Sequence, residues 1–409
     1  PLGAAITVSN NDVSIDLMGF VLSAPYGDGV VATMDHCDRL TVRHGTISDC
    51  GGMAIDARYC RGGRFSDLVL SGNDYAGIAP GIDAVVDNCL ILSNKSGVIW
   101  ADGCLIDGCQ VLNNEDDGIN ASQNCRIKGN ICRDNGYGGA NLANIHATGA
   151  GNRIEDNQVL GAGCGLSLDA AGNYVAGNYV KGNGTNYSFA AGNQLNLLLC
   201  EIPETLSWPC AVKLAGTLVC SRTAVNGVLV NANDVTLDLG GHALVGPGST
   251  SLSGVYLPPG YRTLRVHNGK VTKWEGGTSG GIISAGGSVQ LDRIQAFSNY
   301  VGIVAGEGSS VSHCTADLNK STGIEVKSGS VISDCTASRN SGIGINVMYG
   351  VAISACSAFN NSSNGISAGG GNTISDCSAY ENSGNGIVAA NRNRISDCSA
   401  CLNSGDGIS

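Results

Sequence analysis

The chain has 409 residues, of which 43% are hydrophobic, 14% charged and 5% aromatic, with 61 glycines. That apolar share excludes a disordered chain, and the absence of any long apolar face of helical period excludes an α-helical bundle. A formal net charge of −11 argues against nucleic acid, whose phosphates need clustered Lys and Arg, and no apolar run approaches a membrane-spanning length.

Residues 6–22, ITVSNNDVSIDLMGFVL, open the chain with short alternating runs cut by Asn, Asp and Gly, the pattern of strands joined by turns. A loose repeat follows. Ile47, Phe65, Val86, Ile106, Ile127, Ile154 and Val175 align as one apolar position. Cys50, Leu68, Cys89, Cys109, Asn130, Asn157 and Asn178 stand three residues later. The spacings run 18, 21, 20, 21, 27 and 21, so the long coil is expected to carry an insertion near 140–151. The rhythm then breaks over 192–227, which holds Pro203, Trp208, Pro209 and three cysteines ten apart, Cys200, Cys210 and Cys220. Solenoid ends expose apolar core and open strand edges, so this stretch reads as a cap or joint.

Beyond it, 228–244 matches 6–22 at 8 of 17 positions, at an offset of 222. The expected organisation is two tandem domains, 1–195 and 228–409, with the cap or joint at 196–227. The first domain lacks a counterpart of that cap, and the second stops within a coil at Ser409. The expectation is a mature product or a segment of a longer array.

In the second half the beat is strict. Cys314, Cys335, Cys356, Cys377 and Cys398 stand 21 residues apart, as do Asn319, Asn340, Asn361, Asn382 and Asn403. Each unit reads I-x-x-C-x-A, a polar turn with Asn, then G-I-x-V or a variant. A fixed period of this length marks a solenoid. Two to three short strands per coil predict an all-β parallel β-helix, with coils stacked about 4.8 Å apart. Stacked cysteines have parallel Cβ vectors, poor geometry for a disulfide, so the Cys ladder reads as buried thiols filling space. The off-register cysteines, Cys37, Cys60, Cys132, Cys200, Cys210, Cys220 and Cys401, are the better disulfide candidates, above all Cys200, Cys210 and Cys220. The ladder asparagines read as corner residues, tolerant of left-handed backbone and able to bond along the axis.

The strings NDVSIDLMGF and NDVTLDLGGH, followed by L-x-V-x-x-G and by N-x-x-x-G-I coils, resemble the secreted right-handed parallel β-helix repeat proteins. That resemblance covers nearly the whole chain outside 192–227. It implies a pectate-lyase-like fold, shared with polygalacturonases, alginate epimerases and phage tailspikes, and an extracellular or cell-surface location. The fold hosts enzymes, adhesins and fibres alike, so function has to be read from a site.

Few residues escape the repeat. The best cluster is Asp35, His36 and Asp38, then Arg43 and His44, then Arg58, Arg61 and Arg64 around Tyr59; His36 and its neighbours have no equivalent in the second half. A solvated loop is the plainer reading. The sharper one is a basic cluster neutralising a uronate beside a proton-abstracting base, with His36, Asp35, Arg58, Arg61 and Arg64 as weak catalytic candidates. Against it, the Asp-Pro-His-Glu string of alginate epimerases is absent. Asp116 and Asp117, followed by Arg126-Ile127-Lys128, superficially resemble polygalacturonase motifs. No Gly-His-Gly accompanies them, and Asp117 fills an ordinary turn slot of the repeat. The six histidines (His36, His44, His146, His242, His267, His313) lack zinc spacing, so no metal or other cofactor is expected. Trp100, Trp208 and Trp274 stand far apart as a sugar platform.

The expected function is a stiff extracellular rod, a surface fibre or adhesin segment assembling end to end with copies of itself. The alternatives are a polysaccharide lyase or uronate C5-epimerase with its site in domain 1, and a non-catalytic glycan-binding module. Polysaccharide is therefore an expected partner in either alternative, and nucleic acid is not.

Overall fold

A computed structural model describes residues 3–33, 37–248, 252–277 and 279–409. The chain divides into two compact units, Pro1–Leu198 and Leu199–Ser409. Each is a parallel β-helix. In unit 1 a nine-stranded sheet runs from Ile6–Val8 through Ser96–Ala101, Ile119–Ala121, Ala143–Ala147 and Cys164–Leu168 to Thr185–Phe189. In unit 2 the corresponding sheet runs from Glu204–Leu206 to Ile387–Ala389, also with nine strands. Two further short strands per coil complete the turn, as in Val331–Ser333 and Thr336–Ser338, each paired in parallel with the next coil.

Stacking puts like on like. Ile332 pairs with Ile353 and Ile353 with Ile374, Ala337 with Ala358, and Ile345 with Ile366, all with almost no exposure. Each fully buried Ile contributes roughly 2 kcal/mol of transfer free energy, so the ladders are the main stabilising term of a coil. In unit 1 the register differs from the sequence alignment at its start. Phe65 stacks on Val42, and Ile47 stacks on Leu70. Ile47 therefore belongs to the next ladder, and the anomalous 18-residue first step disappears. The alignment slipped because Val42 and Ile47 are both apolar and both precede a bend.

The cysteine ladder is buried as free thiols. Cys335 donates its thiol proton to the Ser333 carbonyl at 3.1 Å, and its sulfur accepts the Cys314 N–H at 3.4 Å. In unit 1 an Asn takes over this duty: the Cys109 N–H donates to Asn130 Oδ1 at 2.9 Å. The position demands an acceptor for a buried N–H, and either side chain supplies one.

The asparagine ladder corrects a sequence expectation. Asn319, Asn340, Asn361 and Asn382 are at most 1% exposed and point inward. The left-handed corners belong to their predecessors, among them Leu318, Arg339, Asn360, Glu381 and Leu402 (φ 52–56°). The ladder explains why. Asn340 Oδ1 accepts from Asn319 N and Nδ2, while Asn340 Nδ2 donates to Ala316 O and Asn361 Oδ1, all at 2.8–3.1 Å. Forgoing four buried hydrogen bonds costs more than the roughly 1–2 kcal/mol of a left-handed non-glycine residue. Gly344 is also fixed by this ladder: a Cβ there would lie 2.7 Å from Asn361 Nδ2 and 2.6 Å from the Gly365 carbonyl.

The 196–227 stretch forms strands. Glu204–Leu206 pairs with Val228–Val230, and Cys210–Leu214 with Val235–Asp238, so these residues build the first coil of unit 2. No disulfide forms within the Cys200, Cys210 and Cys220 set, because Cys210 and Cys220 are both free and buried. Both side chains are buried, Cys210 at the start of the strand Cys210–Leu214, and burial pushes the Cys210 thiol up to about 12.

Candidate functional site

The predicted basic cluster is dispersed in part. Asp35 and His36 lie outside the described residues. Arg58 binds Asp56 with both Nε and Nη2 at 2.8 Å, and its guanidinium stands 6.0 Å from the Tyr59 ring. Arg61 turns to Asp83 at 3.6 Å, in an ion pair that is more than half exposed on both sides. Arg64 is exposed at the start of a different strand, Arg64–Ser71. His44 lies between Asp16 at 3.2 Å and Asp67 at 3.6 Å on the same surface as that strand's partner. Among the described residues Arg58 lies beside Tyr59, the Arg61 N–H donates to Asp38 Oδ1 at 3.1 Å, and Arg43 and His44 share Asp16.

The outer face of the nine-stranded sheet in unit 1 holds a different constellation. One outward-facing position per coil lines up in a file. Asn120 pairs with His146, His146 with Ser167, and Ser167 with Ser188. The His146 ring is held at both nitrogens, by Asp117 Oδ2 to Nδ1 at 3.0 Å and by Asp169 Oδ2 to Nε2 at 3.0 Å. Asp117 is 9% exposed at its side chain, His146 12% and Asp169 55%.

Asp117 fills the turn slot that in unit 2 accepts a backbone N–H, as Asn385 does for Asp406. It performs the same structural task with Oδ1, which accepts Ala143 N–H at 2.7 Å. Oδ2 is left for Asn120 Nδ2 at 2.8 Å and for His146. Asp117 thus adds a charge where a histidine sits on the next coil.

The long coil shapes the rest. Asn135 and Asn144 are nine residues apart, yet Asn144 Oδ1 still takes the ladder bonds from Asn135 N and Nδ2. Most of the extra length lies at 136–142, somewhat earlier than the expected 140–151. This loop is tied down by Gly136 N–H to Asp116 O and Gly138 N–H to Glu115 O. With His146, Ser167, Asp169 and Ser188 it lines a cavity of about 580 Å³, within the usual range for a ligand site.

Burial alone would pull the His146 pKa down, but the hydrogen bonds and charges of Asp117, then Asp169, outweigh it and raise the value to about 9. The ring is an imidazolium at neutral pH and donates from both nitrogens, so it cannot accept a proton there. Cys164, also on the cavity wall, is pushed up to about 11 by burial and the Asp117 charge, so it stays a thiol. Neither ring nitrogen keeps a free lone pair for a metal. Among the described residues no group of three or more His, Cys, Asp or Glu could hold one.

A raised folded-state value means that this interaction stabilises the fold fully below the ordinary histidine pKa of 6.5 and is lost as pH rises through about 9. Stability measured by urea denaturation is expected to fall from pH 6.5 to pH 10 more steeply in the native chain than in His146→Gln. Equal slopes would disprove the charged pairing.

Residues 28–185 and 280–409, more than half of the chain, match the family model described as the right handed beta helix region. The chain belongs to this right-handed β-helix family. No curated protein matches the β-helix chain. Among solved structures it is similar to a double mutant of the periplasmic alginate epimerase AlgG, at 11% identity over 90% of this chain and 77% of that one, with a TM-score of 0.28. A second is the Agl-KA catalytic domain, at 12% identity over 98% of this chain and 62% of that one, TM-score 0.26. A third is a mutant of the PL6 family alginate lyase AlyGC, at 8% identity over 99% and 97%, TM-score 0.20.

The sequence pointed away from His146, because a lone histidine without metal spacing carries little signal. Two clues were present: the 27-residue coil in which it sits, and an acidic residue, Asp117, on the coil before it.

Proposed function

We propose that unit 1 is a glycan-binding β-helix module that takes a neutral, hydroxyl-rich polysaccharide at the His146 cavity. The observation that carries this reading is the cavity itself, lined by an imidazolium, a half-exposed carboxylate and the hydroxyls of Ser167, Thr185 and Ser188. Such a set offers donors and acceptors to sugar hydroxyls. Its two carboxylates and one cation leave a net negative centre, on a chain of formal charge −11, which repels a polyuronate. The lyase or epimerase reading needs a neutral base and free cations at the site. His146 is protonated, and Arg61 is turned to Asp83.

The test is binding to an array of neutral and acidic polysaccharides, native chain against His146→Ala. The expected result is retention on neutral glycans and a loss of about tenfold or more in the variant, the equivalent of one charge-assisted hydrogen bond. Preferential binding of alginate or polygalacturonate, with release of unsaturated uronate, would replace this reading by the lyase one.

Unit 2 favours a second, structural role. Its equivalent outward file reads Leu229, Tyr256, Ile283, Val304, Glu325, Asn346, Ser367 and Val388, with no paired titratable groups. Five coils of identical length suit a rigid extracellular stalk or adhesin segment able to assemble end to end with further copies. Filaments or elongated oligomers by electron microscopy support that role, and a monodisperse monomer at high concentration opposes it.

A further inference from the structure

The same outward file carries a second feature two strands from His146. In the strand Ser96–Ala101 the register slips between Val98 and Ala101 against the next coil, so that Ile99 and Trp100 together oppose Asn120. Such a bulge re-aims a side chain. Trp100 pays for its place with a left-handed backbone, φ 56°, which is unusual for so bulky a residue and points from strain toward function. The residue is 41% exposed. The Arg58 guanidinium lies 4.4 Å from its centroid, and the Tyr75 ring 6.2 Å away at a tilt of 47°. Arg58 is itself locked by Asp56, and Ile99 packs beneath with Met53, Ala76 and Ala79. The result is a fixed, exposed aromatic shelf on a chain with few aromatics.

We infer that Trp100, braced by Arg58 and flanked by Tyr75, is a sugar-stacking subsite that continues the His146 cavity, so that the ligand is a glycan chain and not a single sugar. This rests on the glycan reading of the cavity. The apolar face of a pyranose ring matches an indole face, and a ring already held in place loses little entropy on binding. Strand spacing sets the distance: two steps from Trp100 past Asn120 to His146 is about 10 Å, a span that needs more than one sugar ring. The Arg58 charge is neutralised by Asp56, so the shelf, like the cavity, suits a neutral chain.

The experiment is affinity electrophoresis of the full chain in gels holding dextran, mannan, glucomannan or mixed-linkage β-glucan, alongside titration with the matching disaccharides. Trp100→Ala and Tyr75→Ala are compared with His146→Ala, and Trp100→Phe keeps a ring at the bulge as the control for loss of local structure. The expected result is about a tenfold weaker retardation by polysaccharide for Trp100→Ala, restored in part by Trp100→Phe, with disaccharide binding unchanged. Native chain and Trp100→Ala retarded equally, with His146→Ala impaired, would overturn the shelf and leave the cavity reading standing. No retardation of the native chain by any neutral glycan, or by its disaccharide, would overturn both.

Discussion

Asp117→Ala is expected to lower stability by about 3 kcal/mol and to return His146 toward an ordinary histidine. The carboxylate is nearly inaccessible and accepts three hydrogen bonds, from Ala143 N, Asn120 Nδ2 and His146 Nδ1. Its removal leaves a buried backbone N–H unmet and an imidazolium without its inner partner, and breaking a buried pair on one side costs on the order of 3–5 kcal/mol. His146 would then answer mainly to burial, which pulls its pKa down, and to the exposed Asp169. Asp117→Asn separates the two roles. An amide still accepts Ala143 N–H, as Asn385 does for its neighbour in unit 2, so most stability should remain while the His146 pKa falls. Denaturation and an imidazole titration by NMR read the two quantities separately. A His146 pKa unmoved in both variants would refute the charged pairing and remove the electrostatic argument for a neutral ligand.

Asn340→Ala should cost about 3–4 kcal/mol, far more than a polar-to-alanine change on a turn. Four hydrogen bonds pass through this side chain, and it is fully buried. Alanine leaves the Asn319 N–H without its acceptor and removes one hydrogen bond each from the Ala316 carbonyl and the Asn361 amide, and an unmet buried group costs about 1–3 kcal/mol. It also breaks the relay of amides along five coils, so the loss should spread to neighbouring coils. In a solenoid each coil contacts only its neighbours, and local opening is the natural readout. Hydrogen exchange of amides in the coils around 319–361 is therefore the measurement of choice, with exposed Ser341→Ala as the control expected within about 0.5 kcal/mol of native. A loss for Asn340→Ala below about 1 kcal/mol would show that the inward amide network is not what holds these coils together.

That corner role shows where sequence reading stops. The 21-residue beat, the Ile-Cys-Ala and Gly-Ile positions and the free cysteine ladder were all legible, because a side chain that recurs at one coil length must stack on its own copy. Which residue of an Asn-containing turn bends was not legible. Leu318 and Asn319 are neighbours, and only the inward amide network decides that the leucine takes the strained backbone. The slip at Ile47 has the same origin, two apolar residues with equal local claims to one ladder.

The sequence by itself determined a right-handed β-helix of short parallel strands, repeated in two copies, and it removed most Cys, Asn and Asp residues from consideration as chemistry. Only the tertiary structure decided where chemistry gathers. His146 meets Asp117 from 29 residues away and Asp169 from 23, because coils of unequal length bring one outward file into register. The bulge at Trp100 places its ring in that same file. Periodicity is a local property and fixes the coil. Contacts between coils depend on register, and register is set by insertions, bulges and the demands of buried hydrogen bonds.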